Sequence, residues 1–120
     1  MKRIVPIAID LIAVLLFAIN GRASHGETLD VAGIFGTFWP FGAALAVGWA
    51  VVVLLGKVGL GLREFLIIWL VTVAGGMSLR IASGGGTALP FVIVTTLVLG
   101  LFLGGWRLIT HLAGRRKNRA

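Results

Sequence analysis

Asp10 is the residue whose position most demands a chemical account, because it lies inside an apolar run from Ile4 to Ile19. If Ile4 marks a membrane edge, about 1.5 Å per residue puts Asp10 about 9 Å inside the hydrocarbon. A carboxylate at such depth costs a few kcal/mol on insertion scales, about 2.5–3.5 at mid-membrane, unless it is paired, protonated or hydrated. Two chemistries satisfy it. One is a structural ion pair with Arg107, the best-placed cation, with Arg3 as a snorkelling alternative. The other is a carboxylate that binds a proton or cation and couples it to transport.

The second candidate is the polar stretch Asn20-Gly21-Arg22-Ala23-Ser24-His25-Gly26-Glu27-Thr28-Leu29-Asp30. Arg22 and a later cation, Arg80, can be held at a membrane interface by Glu27 or Asp30, which would make one polar cluster. Read plainly, the stretch is a wet, charged loop. Ser24, His25 and Asp30 are the residue types of a nucleophilic triad, but adjacent Ser and His side chains rarely reach the required geometry. His25 and His111 fall on opposite membrane faces and cannot share a metal ion. Ser83-Gly84-Gly85-Gly86-Thr87 lacks the Lys and the preceding strand of a phosphate loop. No catalytic, cofactor or metal set emerges, and the expectation is a protein that is not an enzyme.

The elements that position these residues are membrane spans. Of 120 residues, 58% are hydrophobic and 12% charged, against about a quarter charged in soluble domains. Cysteine is absent, which removes disulfides and thiolate chemistry. Four apolar runs, about 4–20, 37–56, 62–82 and 88–112, are long enough to cross a bilayer. The expected fold is an all-α integral membrane bundle of four transmembrane helices with short loops, a single domain over 1–112. A basic start before an apolar run is also how a secretory signal peptide begins; Asp10 and the lack of a small-x-small cleavage site argue against that.

Local signals refine the elements. Thr28 or Asp30 is placed to cap a short interfacial helix over about 28–36. Pro40 predicts that span two either starts at Thr37 or bends at Gly36–Pro40. Thr87 is the expected cap of span four. Gly42, Ala46 and Ala50, and separately Gly100 and Gly104, form small-residue stripes suited to close helix packing. The tail over 113–120 reads as basic, cytoplasmic and unstructured.

Charge placement sets the expected orientation. With four spans, Lys2, Arg3, Lys57, Arg63, Arg107, Arg115, Arg116, Lys117 and Arg119 share one side, and only Arg22 and Arg80 face the other. The positive-inside rule puts both termini in the cytoplasm of a cell (inner or plasma) membrane. The net charge of +7 then reads as topology plus anionic lipid at the tail, not as nucleic-acid binding. Trp39 and Trp106 fall at opposite interfaces, where indoles favour the headgroup region, while Trp49 and Trp69 fall deeper and fill helix contacts.

The pattern Asp10, Gly21-Arg22-x-Ser24-His25, Thr37-x-Trp39-Pro40-Phe41, Gly48-Trp49, Arg80 and Gly105-Trp106-Arg107 resembles a small prokaryotic membrane family, domain of unknown function 3054. The resemblance covers nearly the whole chain and implies no activity. The chain is also superficially similar to small multidrug transporters, which carry Glu in the first span and, where they form antiparallel dimers, need a weaker charge bias than this one. Two functions are therefore expected. The first is a structural or accessory membrane component acting as a homo-oligomer or with another membrane protein. The alternative is a small ion-coupled permease with Asp10 as its coupling carboxylate and Arg22 and Arg80 at the outer mouth.

Overall fold

The structure, a computed structural model, describes residues 2–24, 26–85 and 88–119, with the backbone alone for 115–119. These residues form four α-helices: α1 (Ile4–Ser24), α2 (Val31–Leu54), α3 (Leu62–Ala82) and α4 (Leu89–Arg119). Each contains a segment long and apolar enough to cross a membrane. At about 1.5 Å per residue, the 21 residues of α1 or α3 cover about 31 Å, the thickness of the hydrocarbon layer.

The helices follow one another around the bundle, and α4 closes the ring against α1. Cross-contacts show that neighbours are antiparallel: Arg22 near the end of α1 reaches Thr37 near the start of α2, while Asp10 meets Trp49 farther along α2. Both chain ends therefore share one end of the bundle with the α2–α3 connection. The core is a file of buried apolar residues drawn from every helix, including Val14, Phe17, Phe41, Leu45, Ile68, Leu99 and Leu103.

Small residues set the closest approach, between α2 and α3. A Cβ at Gly48 would stand 3.3 Å from the Ile68 Cα, and one at Gly76 would overlap the Phe41 ring. Gly100 and Gly104 receive the stacked rings of Trp69 and Phe65, whose centroids are 5.5 Å apart. That pair thus packs within the chain. The Gly42/Ala46/Ala50 stripe does not: Ala46 and Ala50 are exposed, and the buried small positions of α2 are Ala44 and Gly48.

Three boundaries differ from the sequence expectation. α1 runs on to Ser24, so Asn20–Ser24 is helix and not loop; Arg22 occupies its last turn, where the helix dipole favours a cation. There is no separate interfacial helix over 28–36. α2 starts at Val31 under an Asp30 cap, with Gly33 N donating to Asp30 Oδ1 at 3.1 Å, and it runs through Pro40. The tail expected to be unstructured continues α4 to Arg119. Its Ala, Arg and Lys are good helix formers, and cations suit a helix C-terminus. Span three, at 62–82, coincides with α3. The proposed Thr87 cap lies outside the described residues.

Candidate functional site

At the end of the bundle that carries the chain termini, Asp10 is fully buried and held by three side chains from two helices. Arg107 grips it bidentately, Nη1 donating to Oδ1 at 2.9 Å and Nη2 to Oδ2 at 2.8 Å. Trp106 Nε1 donates to Oδ1 at 2.8 Å and Trp49 Nε1 to Oδ2 at 2.9 Å. Each carboxylate oxygen thus accepts two hydrogen bonds, which uses the acceptor sites a carboxylate offers. Arg107 is equally committed: its Nε donates to Gly59 O at 2.8 Å and its Nη1 also to Leu103 O at 3.0 Å. A buried ion pair repays its desolvation only with such geometry and such complete pairing.

The α2–α3 connection closes this cage from below. Gly59 has φ +95°, a left-handed conformation that favours glycine. Any Cβ there would overlap the Trp49 indole, so Trp49 can reach Asp10 only across a glycine. Two further side chains bind the same connection. Arg3 Nε donates to Lys57 O at 2.8 Å, and His111 Nε2 lies 2.8 Å from Leu60 O. Arg3, the alternative partner for Asp10, is therefore committed to the connection.

At the opposite end, Arg22 organises the α1–α2 connection. Its Nη1 pairs with Glu27 Oε2 at 3.0 Å and donates to Thr37 Oγ1 at 3.2 Å. Its Nε and Nη2 reach Thr28 O (2.7 Å) and Thr28 Oγ1 (3.1 Å). Gly33 makes room for this guanidinium, since a Cβ there would overlap it. Glu27 is thus the carboxylate that pairs with Arg22, while Asp30 serves as the α2 cap and accepts from Thr28 Oγ1 at 3.1 Å. Arg80 stands over the Phe91 ring, 4.2 Å from its centroid. Between the two arginines lies a cavity of about 370 Å³.

The sequence candidates thus separate into two groups at opposite ends. Asp10 and Arg107 meet in the cage. Gly21, Arg22 and Arg80 line the cavity. Ser24 is exposed on the last turn of α1, Trp39 is half-buried, and Pro40 is buried within α2. His25 lies outside the described residues. Trp49, read from sequence as a contact filler, packs in the core and also donates a hydrogen bond to Asp10, and Trp106, read as an interfacial anchor, is a second donor to it. Gly59 was missed entirely. The signals for the tryptophans were Gly48-Trp49 and Gly105-Trp106-Arg107, where an indole N–H deep in an apolar segment needs an acceptor. Among the described residues no group of three His, Asp or Glu could hold a metal ion.

The model of a family described as protein of unknown function (DUF3054) matches residues 7–110, which span both the cage and the cavity. Neither the curated proteins nor the solved structures give a significant match.

Proposed function

We propose that this chain, which belongs to the DUF3054 family of proteins of unknown function, is a structural or accessory component of a cell membrane. It has four spans and no catalytic role, and it works as a homo-oligomer or as a subunit beside another membrane protein. Both termini face the cytoplasm, a reading supported by the nine-to-two distribution of Lys and Arg, and anionic lipid meets the basic end.

The observation that carries this reading is the saturation of Asp10. A coupling or catalytic carboxylate must exchange a proton, ion or substrate, yet this one is fully buried and takes four hydrogen bonds from Arg107, Trp106 and Trp49. It is built to hold α1, α2 and α4 together. The exposed Ala46 and Ala50 of the small-residue stripe support assembly, because small residues on an outward helix surface admit a second helix closely. Purification in mild detergent followed by native mass spectrometry should give a homo-oligomer or a reproducible partner. A monodisperse monomer without partners would overturn the reading.

The cavity between Arg22 and Arg80 favours a second reading, a small permease with its mouth at that end. Gradient-driven flux in proteoliposomes tests it. Transport that survives Asp10→Asn would remove Asp10 as the coupling group, and no flux across a broad substrate panel would remove the class.

A further inference from the structure

The helices meet along four seams, and three of these are held at both ends. α1 and α2 are joined near the chain termini by Trp49 Nε1, which donates to Asp10 Oδ2 at 2.9 Å. At the other end Arg22 Nη1 donates to Thr37 Oγ1 at 3.2 Å. α2 and α3 approach closely along their length. A Cβ at Gly48 would stand 3.3 Å from the Ile68 Cα, one at Gly75 would stand 2.9 Å from Ala44 Cβ, and one at Gly76 would overlap the Phe41 ring. α3 and α4 are joined by the Phe65 ring on Gly104, by Trp69 Nε1 donating to Thr96 O at 3.0 Å, and by Arg80, 4.2 Å from the Phe91 centroid.

The fourth seam, between α4 and α1, is different. Among the described residues, every hydrogen bond and ion pair between these two helices lies in the cage, from Trp106 and Arg107 to Asp10. Toward the other end lies a cavity of about 370 Å³, lined by Phe17 and Gly21 of α1 and by Phe91 and Val94 of α4. The Phe17 and Phe91 rings each meet Phe41 of α2, with centroids 5.3 and 6.4 Å away. A Cβ at Gly21 would meet nothing within 4 Å, so close packing in this structure does not require the glycine. Side chains that line such a space lose dispersion contacts on one side. Sparsely packed parts of a fold are those that open and close most easily.

We infer that the α4–α1 seam is the moving joint of the bundle, a side gate that pivots on the Asp10 cage. The structure shows it open. In the closed form the halves of α1 and α4 beyond the cage approach each other, and Phe91 and Val94 move toward Phe17 and Gly21. Closure recovers the contacts that the cavity lacks, Gly21 gives it room, and the other three seams hold. This is hinge motion about a fixed contact.

The chain contains no cysteine, so paired cysteines at exposed positions carry spin labels without background. The test measures label distances by double electron–electron resonance on the full chain in phosphatidylcholine nanodiscs. Labelled chain is diluted with unlabelled chain, so each distance arises within one molecule whether or not chains assemble. Asn20→Cys with Ile93→Cys spans the seam beside the cavity, Val5→Cys with Leu108→Cys spans it beside the cage, and Ala43→Cys with Ser78→Cys spans α2 and α3. The first pair should give two populations or one broad distribution, and the other two a single narrow one. Gly21→Leu, a wedge in the cavity, should remove the shorter population of the first pair. Asp10→Asn, which releases the pivot, should broaden the cage-side pair as well. The inference is overturned by a single narrow distribution at the first pair, or by equal breadth at all three. It is also overturned if Gly21→Leu leaves the first pair unchanged or Asp10→Asn leaves the cage-side pair narrow. Should either variant fail to elute as native protein does, the comparison of the three pairs without it decides.

Discussion

At the scale of single residues, the protein is defined by how it treats one buried negative charge. Removing one partner of a buried pair leaves the other uncompensated, at a cost of about 3–5 kcal/mol. Asp10→Asn keeps the shape but strands the Arg107 guanidinium, so it should lower stability by about that amount in detergent unfolding. Trp106→Phe removes one hydrogen bond to a charged group and should cost less, about 1.5–3 kcal/mol. Equal stability of Asp10→Asn and the native chain would show that the cage does not hold the helices. The Asp10–Arg107 pairing was legible from sequence because an intramembrane carboxylate needs a cation and Arg107 was best placed. The tryptophan donors were not, because an indole in an apolar segment reads first as packing or as an interface anchor.

At the scale of elements, glycines decide which helix faces meet. Gly76 admits the Phe41 ring where α3 crosses α2, whereas a Cβ at Gly105 on α4 would meet nothing within 4 Å. Gly76→Ala should therefore destabilise the bundle by about 1–3 kcal/mol, as overpacking does. Gly105→Ala should be neutral or slightly stabilising, since alanine is the better helix former. Comparable unfolding of the two variants would contradict the packing described. Sequence spacing marked the small-residue stripes but not their direction. A four-residue repeat fixes a common helix face, and only the position of the neighbouring helices says whether that face looks inward, as Gly100/Gly104 does, or outward, as Ala46 and Ala50 do.

At the scale of the whole molecule, the antiparallel ring puts the carboxylate cage and the arginine-rimmed cavity at opposite ends. Orientation in the membrane then decides what each end meets. The chain contains no cysteine, so single introduced cysteines report without interference. Glu27→Cys should react with a membrane-impermeant maleimide added to intact cells, and Lys57→Cys should react only after permeabilisation. The reverse pattern would invert the proposed topology and turn the cavity toward the cytoplasm.

The sequence by itself determined the number of helices long and apolar enough to cross a membrane, the ends they share and the need of Asp10 for a cation. Each of these follows from composition, from length against bilayer thickness, or from the cost of a bare charge in hydrocarbon. The tertiary structure alone decided that Gly59 must be glycine, that two indoles complete the cage, and that Gly21, Arg80 and Thr95 border one cavity. Those facts depend on atoms distant in the chain meeting within a few ångströms, and such meetings are set by how four similar apolar helices rotate and seat against one another. Hydrophobic periodicity is too uniform in these spans to encode that rotation, because the lipid-facing and core-facing sides are both apolar.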